Sequence, residues 1–367
     1  MATALPSFRQ AAARHKNGNA YQRAFTPGAP LYIPLNRQGY LNRLWVNYNG
    51  LVTVGTVGVA GDVPDTASLI NFFPLMAIKS PQGDYIHSYT SRSLFEFNFR
   101  LHPAVVPGAI LGQTPVAGIV DPTFTGINTA SATAQAVNIN FEMPIGLNDG
   151  LNFDTGMLMR QVANNDFTLQ LTCAGFTDLY GPNNTLSGTA THFTITAITG
   201  TVFIEEEWYE AVDPRMVAAP DFHSIIKLRD QIQSPLVIGD NYIPYSLGPT
   251  LLDMVHRVIL NNQGDTTNGV ALNYLKVLVN KQVEIENRRG ADVRRDNFYH
   301  LMKLLPNGVF HLDFFDDSNE VNVTRARDFI NSNLASQLDT VINVSAGTTL
   351  VNAQVSTTYR ELVTLAA

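Results

Sequence analysis

Eight histidines are spread along this chain, at His15, His87, His102, His192, His223, His256, His300 and His311, and no two stand at a spacing that shares a metal. The arrangements H-x-H, H-x-x-x-H and H-E-x-x-H, which aim two imidazoles at one ion, are all absent. The densest acidic cluster is Asp313, Asp316, Asp317 and Glu320. It lacks the glycine that folds an EF-hand loop around its ion, so it reads as a polar hairpin turn, with a weak interface cation as the alternative. Glu205, Glu206 and Glu207 hold carboxylates of the kind that cleave glycosidic bonds. Neighbours on a strand point to opposite faces, however, so an acid and a nucleophile do not converge there, and a solvated strand end is the expectation. Arg288, Arg289, Arg294 and Arg295 flank Gly290, with Asp292 and Asp296 close by. That mixture predicts a salt-bridged face or a subunit contact rather than a phosphate site. No G-x-S-x-G nucleophile elbow and no phosphate-binding P-loop occurs. No catalytic residue, cofactor or metal ligand is assigned, and the chain is not expected to be an enzyme.

Composition points the same way. Of 367 residues 45% are hydrophobic, enough for two cores. Only 15% are charged, against a usual value of about 25%. Asn, Thr, Ser, Gln and Gly take the place of the missing ions. Neutral polar groups that find hydrogen bonds are buried at far lower cost than ions, so this surface suits contact with further copies; a polar, soluble monomer is the alternative. Cys173 is the only cysteine and falls in the alternating run Phe167, Leu169, Leu171, Cys173, which predicts a buried small hydrophobe and no internal disulfide. Met1–Phe25 has no apolar signal-peptide core, and no stretch reaches the roughly 20 apolar residues of a membrane span. Synthesis in the cytosol, without integration into a membrane, is the expectation. The net charge of −7 argues against a sequence-specific nucleic-acid binder. Yet Arg9, Arg14, Lys16, Arg23, Arg37 and Arg43 all precede the first acidic residue, Asp62. A cationic amino-terminal arm on an acidic body suits an anionic surface, lipid or polyphosphate.

The elements that would carry these groups are strands. Leu44, Val46 and Tyr48 alternate with Trp45, Asn47 and Asn49; Phe95–Leu101, Ile139–Met143 and Phe193–Ala197 repeat the pattern. Segments 103–136 form a long, nearly uncharged loop. The basic arm, residues 1–28, is expected to hold a helix over Ser7–Lys16, where Ala11, Ala12 and Ala13 favour it and Gly18 ends it. Helical spacing is also read at Phe153–Val162, at Ile225, Leu228 and Ile232, and at Thr250–Leu260. Strands resume at Leu275–Val279 and Val283–Ile285. A helix over Asp292–Leu305, with Phe298, Leu301, Met302 and Leu305 on its inner side, stops at Pro306-Asn307-Gly308. Strands follow at Val309–Phe315, Val321–Val323, Thr340–Val344 and Gln354–Val363. The division expected is an arm at 1–28, a first β unit at 29–213, and a connector with a second β unit at 214–367.

Four segments carry a resemblance. They are the Ala/Gln/Arg arm Pro6–Phe25; Phe73-Pro74 with the turn Pro81-Gln82-Gly83-Asp84 and Ile86–Phe99; Phe141-Glu142-Met143-Pro144 followed by Phe167–Cys173 and Phe203–Tyr209; and Arg294-Arg295 leading to Leu305-Pro306-Asn307-Gly308-Val309-Phe310, with Tyr359-Arg360-Glu361-Leu362-Val363 at the end. In order and texture the chain resembles the major capsid proteins of tectiviruses, icosahedral bacteriophages with an internal membrane. The resemblance implies an all-β fold of two eight-stranded jelly rolls side by side, with short inserted helices and an amino-terminal helical arm. It also implies a homotrimer of pseudo-hexagonal outline in an icosahedral virion shell, and minor capsid and vertex proteins as partners. The basic arm, through Arg9, Arg14, Lys16 and Arg23, would face the internal membrane or inner shell. A double-sandwich spike or lectin-like module and a two-domain β glycosidase are the competing readings.

Overall fold

The computed structural model describes residues 12–55, 71–94, 105–106, 119–120, 133–148, 154–160, 166–179, 194–210, 224–261, 265, 267–301, 305, 307–314 and 330–364. Sixteen principal strands run through them. The first eight are β1 (Arg14–Ala24), β2 (Pro30–Pro34), β3 (Tyr40–Val54), β4 (Leu75–Lys79), β5 (Tyr85–Tyr89), β6 (Ala134–Pro144), β7 (Thr168–Thr172) and β8 (Ile195–Tyr209). The second eight are β9 (Ser224–Gln233), β10 (Gly239–Pro244), β11 (Thr250–Ile259), β12 (Leu272–Val279), β13 (Val283–Arg288), β14 (Val309–Asp313), β15 (Leu338–Val344) and β16 (Gln354–Thr364). Helix α1 (Gly290–Leu301) lies between β13 and β14.

Pairing repeats with a period of eight strands. The first half forms an antiparallel sheet β1-β8-β3-β6 and a second sheet β2-β7-β4-β5; the second half forms β9-β16-β11-β14 and β10-β15-β12-β13. Each strand thus has its counterpart eight places on. Each half is a sandwich of two four-stranded sheets with jelly-roll order. Even a small detail recurs: Leu158–Met159 extends the first sheet beside Leu41 and Tyr40, and Ile330–Asn331 extends the third beside Leu251 and Thr250.

The alternations place the core. Leu44, Val46 and Tyr48 on β3 and Ile139, Phe141 and Met143 on β6 are fully buried, with Cys173 beside β7. Phe25, Phe72, Phe73 and Phe141 fill the first interior together with Ile33 and Leu169. Leu236, Met254, Val277, Phe310, Ile342 and Val355 fill the second. Gly50 and Gly200 stand opposite one another on β3 and β8, where the Tyr48 hydroxyl reaches the Thr199 carbonyl at 3.0 Å. A Cβ on Gly200 would lie 2.5 Å from the Asn49 oxygen and 2.8 Å from the Tyr48 ring, so only glycine leaves room for that ring.

Several helical expectations are overturned. Arg14–Lys16 belong to strand β1, which pairs with β8 from Arg14↔Tyr209 to Ala24↔Thr201; backbone pairing with a sheet edge overrides alanine's helical preference. The rest of the helix expected over Ser7–Lys16 lies largely outside the described residues. Ile225, Leu228 and Ile232 lie on β9, and Thr250–Leu260 is strand β11. Within Phe153–Val162 the described residues are two short strands at Asp154–Thr155 and Leu158–Met159. Helix α1 forms, but turned about its axis: Val293, Arg294 and Asn297 are buried, while Phe298 is 47% exposed. Arg294 reaches inward to the carbonyls of Val309 and Leu305, and Asn297 pairs with both backbone groups of His311, so polar groups fix this helix to β14. On β8, Phe193 lies outside the described residues, and a bulge between Ile195 and Ala197 gives the buried place to Ile198. Phe95–Leu101, most of the loop 103–136, Val321–Val323 and the cluster Asp316, Asp317 and Glu320 also lie outside them.

Candidate functional site

The cationic residues read from the sequence stand on β1, the outermost strand of its sheet, with Arg9 outside the described residues. Arg14 grips Glu207 of β8 through Nε at 3.0 Å and Nη2 at 2.5 Å. His15 stacks on Trp208 at 4.3 Å with its Nε2 2.7 Å from Glu210. Lys16 stands 4.3 Å above the Trp45 ring and 3.9 Å from Glu205. Arg23 is exposed and donates to the Gln22 carbonyl, with no carboxylate partner among the described residues. Three of the four groups that were to face an anionic surface thus sit in one strand, and two of those are already matched to glutamates.

Glu205–Glu207 do not form a solvated strand end. Inward alternation along β8 takes Val202, Ile204 and Glu206 into the core; Glu207 lies on the other face of the sheet, paired with Arg43, where Arg14 and Asn42, the bulged residue of β3, cover it. Glu206 and Glu207 are 1% and 3% exposed. Each needs a partner at that depth. Glu206 receives Arg160 at 2.8 Å, a side chain equally buried, and Glu207 receives Arg14 and the Asn42 amide, the latter at 2.7 Å. Two carboxylates each held by an arginine are structural ion pairs.

The second half repeats the device. On β9, Arg229 meets buried Glu361 of β16 at 2.9 Å, as Arg14 on β1 meets Glu207 of β8. Burial pushes the Glu361 carboxyl up, opposed by Arg229 and Lys227. Beside it Arg360 reaches Asp253 at 2.6 Å, with His311 at 4.0 Å from the same carboxylate. His256, fully buried, places Nδ1 2.9 Å from the Thr357 hydroxyl, and burial lowers its pKa to about 3.

The halves meet where β5 of the first lies against β9 of the second. Asp230 accepts from the Thr90 amide at 2.9 Å and from the Thr358 hydroxyl at 3.0 Å, joining both halves through one carboxylate. Burial nevertheless raises its pKa. His87 on β5 is buried with neither ring nitrogen hydrogen-bonded; burial, then Lys227, lowers its pKa to about 4. Apolar contact continues across the junction, since Leu228, Val255, Leu305 and Val309 belong to the first interior. A cavity of about 360 Å³ lies there, lined by Tyr85, Ile86, Ser88, Lys227, Leu228 and Arg229. A second, of about 410 Å³, lies under Asp265, Thr267 and Ser345–Thr349 at one end of the second sandwich. Asp265 is consumed there by the amides of Thr267 and Gly269 and the Thr267 hydroxyl. Among the described residues no three His, Cys, Asp or Glu side chains are grouped to hold a metal, and no helix is long and apolar enough to cross a membrane.

Two jelly rolls in one chain, joined edge to edge, make this a double jelly-roll fold. No family model and no curated protein matches the sequence. Solved structures do match the fold. The STIV MCP aligns over 96% of this chain and 97% of its own at a TM-score of 0.62 and 12% identity. The PBCV-1 virus capsid aligns over 96% and 93% at 0.61 and 11%. The major capsid protein P2 of bacteriophage PM2 aligns over 95% and 98% at 0.51 and 10%. At such identities the likeness is one of fold, and it spans both halves of each molecule.

Proposed function

We propose that this chain is a structural major capsid protein that self-associates as a homotrimer of pseudo-hexagonal outline and tiles an icosahedral virion shell over an internal membrane. The observation that carries the reading is the end-to-end match, over at least 95% of this chain, to capsid proteins of unrelated sequence. The low charge, 15% of residues, supports it, because large faces are then covered without burying ions. The buried glutamates support it too, each being spent on an arginine rather than presented in a cleft. The chain acts without catalysis, its partners being its own copies, minor capsid and vertex proteins, and lipid.

Arg14 and Lys16 are matched to Glu207 and Glu205, which leaves Arg9 and Arg23 as the cations for anionic headgroups. At roughly 1 kcal/mol per basic residue near an anionic surface, one copy binds weakly and a shell binds by avidity. Negative-stain class averages of the purified protein are expected to show threefold particles of hexagonal outline; single two-lobed bodies would refute the reading. Removing residues 1–11, ahead of β1, together with Arg23→Ala is expected to leave that particle intact while abolishing flotation with vesicles rich in anionic lipid.

A further inference from the structure

The cavity where the rolls meet is walled by both of them. Strand β5 supplies Tyr85 and Ser88, and strand β9 supplies Lys227, Arg229 and Asp230. Its volume of about 360 Å³ falls within the roughly 300–1,000 Å³ usual for small-molecule pockets, which favour junctions of this kind. The polar groups on its walls are unevenly matched. Asp230 is the one carboxylate, and it is already taken: the Thr90 amide donates to it at 2.9 Å, the Thr358 hydroxyl at 3.0 Å, and the Ser93 hydroxyl as well. Lys227 is half-buried and makes no hydrogen bond or salt bridge among the described residues, although Glu361 and His87 both feel its charge. Arg229 meets Glu361 through Nε at 2.9 Å, while its two terminal nitrogens donate to no acceptor among the described residues. The Ser88 hydroxyl likewise has no partner among them, and the Tyr85 hydroxyl has only a long contact, 3.4 Å, to the Gln170 side chain. Lys79 adds a third positive charge beside the Tyr85 ring, 4.8 Å from its centroid.

We propose that this cavity binds a phosphate group, whose oxygens take hydrogen bonds from Lys227 Nζ, the terminal nitrogens of Arg229 and the hydroxyls of Tyr85 and Ser88. Four donor groups, two of them cationic, line one space in which the only carboxylate is already saturated. A cation finds no free carboxylate there, whereas an oxyanion finds a partner for every unspent donor. The planar fork of an arginine beside the point charge of a lysine is a combination that suits phosphate. Half-burial strengthens each of these bonds, because less water competes for them. The site lies within one chain and owes nothing to assembly, so it goes beyond the capsid reading. Its consequence is mechanical. The donors come from β5 of one roll and β9 of the other, so a bound phosphate adds a second bridge to the junction that Asp230 already spans. A ligand that binds only the docked rolls stabilises the docked arrangement by mass action.

The test uses the full-length protein near neutral pH at constant ionic strength. Inorganic phosphate is titrated against chloride as the matched salt, and the heat of binding and the thermal midpoint are followed. Saturable binding and a rise in the midpoint are expected with phosphate alone. Lys227→Met should weaken binding by about 10-fold or more, the worth of one charge-assisted hydrogen bond, while Lys227→Arg keeps the charge and retains most of it. If Lys227→Met fails to fold, Tyr85→Phe/Ser88→Ala is read in its place; it leaves the cations untouched and should still weaken binding several-fold. A soluble short-chain phosphatidic acid, titrated in the same way, separates the two sources of the group. Binding tighter than that of inorganic phosphate and equally sensitive to Lys227 assigns the site to a lipid headgroup; weaker binding assigns it to phosphate in solution. Phosphate and the lipid both acting no differently from chloride, or variants that bind as wild type does, overturn the site and leave the capsid reading as it stands.

Discussion

Strands β1 and β9 hold the same place in two copies of one architecture, yet live in different surroundings. Each is the outer strand of its sheet, and each sends an arginine to a buried glutamate on the next strand. Strand β9 is shielded by the other roll, and its inner residues Ile225, Ile226 and Leu228 are apolar. Strand β1 is open, and apart from Ala20, Tyr21 and Ala24 its residues are Arg, His, Lys, Asn, Gly and Gln. The difference shows which edge the chain itself covers and which one faces water. Sheet edges are managed in that way when aggregation must be avoided before assembly.

The comparison can be broken first at the buried charges. Arg160→Met leaves Glu206 ionised and unpartnered inside the first roll, and urea unfolding should show a loss of about 3–5 kcal/mol. The double change Arg160→Met/Glu206→Met should recover most of it; a single variant as stable as wild type would mean the pair is wet. Next, Leu228→Ala at the covered edge should cost about 2–5 kcal/mol by opening a cavity. Val283→Ala on the open edge strand β13 should stay within about 0.5 kcal/mol in the dissociated protein. Equal losses at the two positions would erase the distinction between covered and open edges.

Acid sharpens the contrast further. His87 titrates near 4 when folded and near its usual ~6.5 when unfolded, so the unfolded chain takes up the proton first. Stability is therefore held above pH ~6.5 and falls through the window down to pH ~4, by about 3 kcal/mol for His87, with His256 adding to it. Asp230 and Glu361, raised by burial, oppose this at the acid end, because the folded state then binds their protons more readily. His87→Phe should flatten the decline between pH 6.5 and 4; an unchanged profile would place the acid response elsewhere. Arg14→Ala should cost less than Arg160→Met, because 60% of the Arg14 side chain is in water and Glu207 keeps the Asn42 amide, and the loss should shrink in high salt.

The fold was legible where one face of a strand is wet. Leu44, Val46 and Tyr48 alternate with polar residues, and their burial follows. It was illegible where both faces are covered. Along β11 every residue from Leu251 to Ile259 is buried, including Asp253, His256 and Arg257, so period two is lost and apolar positions fall at helical spacing by coincidence. On strand β9 the adjacent Ile225 and Ile226 are both buried, which breaks period two, while Ile232, the third residue of the helical spacing, is exposed. The alanines of the amino-terminal segment spoke for a helix, while the partner that decides otherwise, β8, lies about 190 residues away. The buried ion pairs were hidden likewise: Glu206 and Arg160 are 46 residues apart, and Glu207 and Arg14 are 193 apart. What the sequence did display was the absence of catalytic spacing and the shortage of charge, and those two traits are what the capsid reading uses.

The most direct measurement is the native mass of the purified full-length protein at micromolar concentration. The account predicts a single species at three times the 40.3 kDa chain. A species at the mass of one chain, unchanged as concentration rises, would contradict it.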